Sequence, residues 1–178
     1  MKVIHNFLTT SELDTLRSLA KTCYMSIGGK GYTYGTLQGF GYNKGVPDTI
    51  FKKFLDASEL TQPLNGRSIQ QFLCYKKGGV NTPHKDWVYD TTFSYQRRNN
   101  EPDAVSLFRV NVVLTQADKG GELIVGGEEV KLAVGDGFVF RPELIEHEVK
   151  EILEGSRMIF TIGFHHKEPV RTLPRILA

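Results

Sequence analysis

From residue 68 to residue 166 the chain is cut at short intervals by glycine-bearing turns, and this punctuation constrains the fold more than any other feature. The turns are Lys76-Lys77-Gly78-Gly79, Lys119-Gly120-Gly121, Gly126-Gly127, Gly135-Asp136-Gly137 and Glu154-Gly155-Ser156. Between them lie short apolar runs near 69–75, 105–114, 122–125, 129–132, 137–141, 147–152 and 157–164. Many short strands at close spacing predict a sandwich or barrel here, not alternating β and α.

The first third reads differently. Thr9 with Glu12 three residues on forms a capping box, and Leu8 can staple onto Leu13. Leu13, Leu16, Leu19, Ala20 and Cys23 then share one helical face, which predicts a helix over 9–24. A second short helix is predicted over 47–61, with Ile50, Phe51, Phe54 and Leu55 on one side. Between them, 26–46 alternates glycines with Tyr32, Tyr34, Phe40 and Tyr42. That density predicts a loop or irregular hairpin, either a plain surface segment or a flap with aromatics facing a site. No strand leads in and no helix follows, so it is neither a dinucleotide fingerprint nor a phosphate loop. The polar segment 88–104 is long enough for a functional loop, and both segments are expected to close over a substrate.

Composition bounds the function classes. The 178 residues are one domain's worth, 1–178, with helical support over about 9–60 and a β core over about 68–166. A net charge of +2 gives no electrostatic case for nucleic acid or a membrane surface. The one dense basic spot, Arg97-Arg98, reads as a solvated loop. No apolar run approaches membrane-spanning length, and the N-terminus lacks a signal-peptide core. Cys23 and Cys74 read as free thiols of a reducing compartment, so a cytoplasmic location is expected.

Pro83-His84-Lys85-Asp86 carries the chemistry. Residues two apart in an extended chain point to one side, so His84 and Asp86 can reach one ion. His147, opening a later strand, is the candidate third ligand. Two histidines and one carboxylate on one face of an octahedron leave three positions open, the pattern of non-heme Fe(II) oxygenases. His-x-Asp alone is a common tripeptide, and the rest of the pattern gives it meaning. Beyond His147, the run to Arg157 reads as strand, tight turn, strand, a hairpin that returns Arg157 toward the cavity His147 lines. A buried Arg needs an anionic partner, and a dicarboxylate offers one; a surface pair with Glu154 or Glu148 is the plain alternative.

Taken together, these segments resemble the prolyl-4-hydroxylase-like branch of the 2-oxoglutarate/Fe(II) dioxygenases, from about residue 71 to 166. The resemblance rests on Tyr75-Lys76-Lys77-Gly78-Gly79 before Pro83-His84-Lys85-Asp86-Trp87, and on the strand Arg109-Val110-Asn111-Val112-Val113-Leu114. It continues through Gly120-Gly121-Glu122-Leu123, Val134-Gly135-Asp136-Gly137-Phe138-Val139-Phe140, His147-Glu148-Val149, Gly155 and Arg157. It implies a mostly β fold, a double-stranded β-helix (a cupin-like jelly roll) buttressed by N-terminal helices. It implies His84, Asp86 and His147 as Fe(II) ligands, and Arg157, Tyr75 and Thr161 around 2-oxoglutarate. Arg109, Trp87 and Asn81 fall at positions facing substrate. The implied reaction consumes O2, releases succinate and CO2, and hydroxylates a peptidyl residue such as proline, with ascorbate as a possible reductant. Two departures stand out. Arg157 replaces the lysine of collagen-type members, and Asn81 stands where a second tyrosine is expected. Retention of Asp86 argues against the halogenase variant.

Competing readings keep the chemistry and change the substrate to a free amino acid, small metabolite or nucleobase, or keep only the shape as a non-catalytic jelly-roll sensor. A cupin-type Zn or Mn site would cluster more histidines; His165-His166 read as a strand-end feature and His5 as exposed.

Overall fold

The computed structural model describes residues 1–23, 25–36, 45–60, 68–86, 89–90, 95–96 and 106–166. Helix α1 spans Thr10–Ala20 and opens with the capping box: the Glu12 side chain accepts the Thr9 N–H at 2.8 Å. The helix stops short of Cys23 because the N–H groups of Lys21 and Thr22 bond back to Ser18 and Leu19, tightening its end. Helix α2 spans Asp48–Ser58 and is ended by Glu59, whose φ of 59° is left-handed.

Strands account for nearly all the other elements. Ahead of α2 lie β1 (Lys2–Ile4), β2 (Met25–Gly29) and β3 (Tyr32–Thr36). After it come β4 (Ser68–Lys76), β5 (Asn81–His84), the two-residue pair β6 (Tyr89–Asp90) and β7 (Tyr95–Gln96), and β8 (Ser106–Thr115). The last part holds β9 (Lys119–Gly120), β10 (Leu123–Val125), β11 (Glu128–Val130), β12 (Gly137–Phe140), β13 (His147–Val149), β14 (Ile152–Glu154) and β15 (Ser156–His166).

The major sheet has the order β1-β12-β8-β15-β4-β3-β2, and the minor sheet β11-β10-β13-β5. From β4 onward the chain crosses repeatedly between them: β4 to β5, β8 to β10 and β11, β12 to β13, and back to β15. Every pairing is antiparallel. This winding is a jelly roll, the double-stranded β-helix.

Alternation along the strands builds two cores. On the outer face of the major sheet, Phe72, Phe108, Val110, Val112, Leu114, Phe160, Ile162 and Phe164 pack with Leu13, Leu16, Ile50, Phe51 and Phe54 of the two helices. The Phe54 and Phe160 rings meet edge-on at 5.5 Å. Inside the roll, Phe138, Phe140 and Ile159 of the major sheet pack with Leu123, Val125, Val130 and Val149 of the minor sheet.

The structure sharpens or corrects three expectations. Of the two readings of 26–46, loop or irregular hairpin, its described first part takes the second: β2–β3 is a hairpin with a register shift between Ile27 and Gly29, added to the major sheet beside β4. Gly31 and Gly79 make this docking possible: a Cβ on Gly31 would stand 2.5 Å from the Gly79 nitrogen, and one on Gly79 would strike the Gly31 oxygen. The chains are thereby close enough for the Lys76 N–H to donate to the Gly31 oxygen at 2.9 Å. Second, residues 147–152 are not one strand; β13 ends at Val149 and β14 begins at Ile152. Third, His147 and Arg157 are not joined by a hairpin. β13 pairs with β10 and β5, whereas β15 pairs with β4 and β8, so the two residues lie on facing sheets. Trp87, Arg97-Arg98, Phe93, residues 37–44 and the tail from Lys167 lie outside the described residues, as does most of 88–104.

Candidate metal centre and anion seat

His84 ends β5 and pairs across the minor sheet with His147, the first residue of β13. That register brings the two imidazoles to 4.3 Å between ring centroids. Asp86 lies just past β5, where its backbone N–H donates to the Pro142 oxygen at 2.9 Å. Its Oδ1 faces His84 Nε2 at 3.5 Å and His147 Nε2 at 3.7 Å. The candidate ligand atoms of the three side chains all lie within 4.8 Å of one another.

The imidazoles are oriented through their other nitrogens. His84 Nδ1 lies 2.7 Å from the Thr82 oxygen and His147 Nδ1 lies 3.1 Å from the Ile145 oxygen. A carbonyl only accepts, so each Nδ1 carries a proton toward its carbonyl and each Nε2 is the atom left facing the centre. Burial pushes His147 below the ordinary imidazole range, against the pull of Asp86, which favours the neutral ligand form. Burial would raise the Asp86 carboxyl, but His84, Arg109 and His147 outweigh it and hold it low, so it is ionised. At His84 the balance is the opposite: its hydrogen bond to Asp86 raises it above the ordinary imidazole range against burial, so a cation there displaces a proton. Two imidazoles and one carboxylate suit a borderline divalent cation such as Fe(II).

The centre opens on a cavity of about 120 Å³, lined by Tyr32, Tyr75, Asn81, Arg109, Asn111 and Phe140 among others. Tyr75 is buried and stacks on Tyr32 at 4.6 Å, and its hydroxyl is hydrogen-bonded to Asn81. Burial, with Tyr32 beside it, drives its pKa well above the phenol range, so it is a neutral donor. Asn81 in turn lies 3.5 Å from His84 Nε2 and links the tyrosine to the metal centre.

Arg157 stands opposite Tyr75 in the β15–β4 register and is only 2% exposed. Its Nη1 donates to the Gln116 Oε1 at 3.2 Å and the Gly121 oxygen at 3.1 Å. Its Nε and Nη2 are buried without a hydrogen-bond partner, and among the described residues no carboxylate forms an ion pair with it. The plain alternative, a surface pair with Glu154 or Glu148, fails on this burial; Glu148 pairs with Lys150 at 2.8 Å. Two orphaned donors on a buried guanidinium can bind an anion; within the protein, burial works against the guanidinium charge while Tyr75 and Glu122 favour it. Gly121 closes over it with φ +74°, and a Cβ there would strike Ile152 and stand 3.8 Å from Arg157 Cδ.

Arg157 and Thr161 do not line the cavity. They flank Ile159, which does, on the same inward side of β15. Thr161 is buried and its Oγ1 has no partner. It is flanked in register by Gln71 on β4 and Asn111 on β8, both cavity-lining, so a polar row crosses an otherwise apolar sheet. Tyr32 takes the place that the flap reading of 26–46 gives its aromatics, whereas Gln71 and Asn111 escape the sequence reading. The signal for Asn111 was available: in Val110-Asn111-Val112 a polar residue takes the inward place of a buried strand.

No protein-family model matches this chain, and no curated protein matches its sequence. Solved structures do. The viral collagen prolyl hydroxylase vCPH from Paramecium bursaria Chlorella virus-1, as its 2OG complex, aligns with a TM-score of 0.64 over 92% of this chain and 94% of that one, at 14% identity. A prolyl-4-hydroxylase of Pseudomonas putida aligns at 0.61 over 94% and 92%, with 18% identity. HygX of Streptomyces hygroscopicus, with nickel and 2-oxoglutarate bound, aligns at 0.62 over 91% and 81%, with 14% identity. The fold of this chain is the one those proteins share.

Proposed function

We propose that this chain is an Fe(II)- and 2-oxoglutarate-dependent dioxygenase that hydroxylates an organic substrate. The observation that carries the reading is Arg157. A buried guanidinium with two unpaired donors, beside a neutral tyrosine that Asn81 links to a His-Asp-His cluster, is costly unless an anion completes it. A dicarboxylate that also chelates a metal fits both ends. The structural neighbours named above with 2-oxoglutarate, one also with nickel, support the assignment.

In this reading His84 Nε2, His147 Nε2 and Asp86 Oδ1 hold Fe(II). Arg157, with the Tyr75 hydroxyl, holds the distal carboxylate of 2-oxoglutarate, which then reaches past the wall of the described cavity, and the unpaired Thr161 hydroxyl is a further partner for it there. When bound, iron and co-substrate would supply the oxidising chemistry: O2 is consumed, 2-oxoglutarate leaves as succinate and CO2, and the substrate gains a hydroxyl, a balanced turnover in which ascorbate is needed only to re-reduce iron oxidised in uncoupled cycles. The protein's own part is orientation and exclusion of water. The Nδ1 contacts fix both imidazoles, and the Tyr32–Tyr75 stack and Phe140 give the site dry walls. Arg109 and Asn81, on the cavity wall, and Trp87 are the substrate-facing candidates. The prolyl hydroxylases among the structural neighbours support a peptidyl residue such as proline as the substrate, with a free amino-acid-sized molecule as the second reading.

Thermal unfolding with Mn(II), 2-oxoglutarate, or both tests the seat without turnover. The reading predicts that 2-oxoglutarate stabilises the protein strongly only when Mn(II) is present, by about 2.7 kcal/mol at a hundredfold excess over Kd. No stabilisation by the pair would overturn it.

A further inference from the structure

The resemblance places Arg109 against substrate, but the structure gives it a different partner. Its Nε lies 2.9 Å from Asp86 Oδ2, an ion pair between side chains that are 21% and 13% exposed. The N–H is not aligned well enough to count as a hydrogen bond, so the contact is charge held at close range. The two oxygens of Asp86 are therefore divided: Oδ1 toward the histidines, Oδ2 toward Arg109.

We propose that Arg109 is a positioning residue that holds the outer oxygen of Asp86 and so restricts this carboxylate to binding the metal through one oxygen. The proposal rests on the metal-centre reading above. Its physical basis is a count of coordination positions. Three one-atom protein ligands leave three positions on an octahedral ion. A co-substrate that binds through two oxygens and an O2 molecule need all three. A carboxylate that swung to bind through both oxygens would remove one of them.

The fold gives Arg109 the rigidity for this task. It sits on β8 inside the major sheet, with Phe140 of β12 on one side and Gly163 of β15 on the other. Asp86 belongs to the opposite wall, tethered by its N–H to Pro142. The pair thus ties the two sheets together at the metal centre. A fixed positive charge beside a cation site opposes metal binding by Coulomb repulsion, so charge alone does not explain its presence. Control of carboxylate geometry does. With Nε committed to Asp86, the terminal nitrogens remain for a substrate in the cavity Arg109 lines.

The test uses full-length protein, Mn(II) and Co(II) as probes, and Arg109→Gln, Arg109→Met and Arg109→Lys. Metal affinity is measured by competition titration, folding by thermal unfolding without metal, and coordination by the visible spectrum of the Co(II) form. In Gln and Met the proposal predicts a Co(II) spectrum shifted toward higher coordination and a Mn(II) affinity stronger by about 10-fold, because the repulsive charge and the one-oxygen limit are both lost, with smaller changes in Lys. Gln, near-isosteric, and Lys give the comparison if Met fails to fold. Gln and Lys forms with wild-type affinity (within about twofold) and an unchanged Co(II) spectrum would overturn the positioning role and leave the metal centre standing. A wild-type protein that binds neither ion would overturn the metal centre itself, and this role with it.

Discussion

Arg157 and Tyr75 face each other across adjacent antiparallel strands, both buried, and each perturbs the other's ionisation. The arginine keeps two N–H groups unpaired. A residue kept for stability would not be left in this state, so function and stability should separate at this position. Arg157→Met is expected to raise apo stability by about 1–3 kcal/mol, the usual cost of buried unpaired donors. At roughly 2–4 °C per kcal/mol for a chain this size, a melt resolves that rise. The same change should weaken 2-oxoglutarate binding by at least about 30-fold. A variant less stable without ligand would show that the guanidinium serves the fold.

Metal binding should compete with protons at His84. Its hydrogen bond to Asp86 raises its pKa above the usual imidazole value, against the effect of burial. In the apo protein the resulting stability is complete below the unfolded value of about 6.5 and is lost as pH rises through the folded value. A cation needs the same Nε2 unprotonated, so its affinity rises through the same window. The gain in melting temperature on adding Mn(II) is therefore expected to grow between about pH 6 and pH 8. A gain independent of pH would exclude His84 as a ligand.

Gly79→Ala tests the docking of the β2–β3 hairpin. Its φ is not left-handed, so the substitution is a steric probe: the new Cβ would strike the Gly31 oxygen and stand 2.7 Å from the Lys76 oxygen. Both are backbone atoms and must move. A loss of about 1–3 kcal/mol is expected, the usual cost of overpacking. The Tyr32–Tyr75 stack should loosen with it, read as a change in near-ultraviolet circular dichroism. Gly127→Ala has open space around its Cβ and carries only left-handed strain, so it should leave that signal alone. Equal effects on the dichroism would refute the close-approach account.

Asp136 secures the N-terminal strand. Its carboxylate accepts the Asn6 N–H at 2.9 Å and the Ala133 N–H at 3.0 Å, and pairs with exposed His5 at 3.0 Å. Asp136→Ala would strand two backbone donors and free β1 from β12. Urea unfolding should show a loss of about 1.5–3 kcal/mol, with His5→Ala costing far less because its ring is in solvent. Similar losses in the two variants would place the stabilisation in the ion pair.

What the residue pattern conveyed, and what it did not, follows from where each signal resides. His84 and Asp86 were legible because a two-residue spacing in extended chain fixes their relation locally. His147 and Arg157 were legible as part of an ordered series of motifs, although the route between them was misread. A strand-turn-strand pattern looks the same whether its strands pair or cross between sheets. The Gln71–Thr161–Asn111 row depends on register among three strands far apart in the chain, which no local pattern encodes. The Arg109–Asp86 pair bridges two sheets for the same reason. Gly78-Gly79 read as a turn and is one, but the closeness of Gly79 to Gly31 appears only once the hairpin is placed. β1, three residues long, gave too little periodicity to register. Among the described residues no helix is long and apolar enough to cross a membrane.

The central claim is that one site binds Fe(II) through His84, Asp86 and His147 and 2-oxoglutarate through Arg157. The most direct measurement adds Fe(II) and 2-oxoglutarate to the anaerobic protein, records the visible charge-transfer band, then admits O2 and assays succinate beside His84→Ala and Arg157→Ala. The account predicts a band and succinate in the wild type, loss of both in His84→Ala, and a much higher 2-oxoglutarate requirement in Arg157→Ala. A wild-type protein with neither band nor succinate would contradict it and leave a jelly roll whose buried arginine serves some other anion.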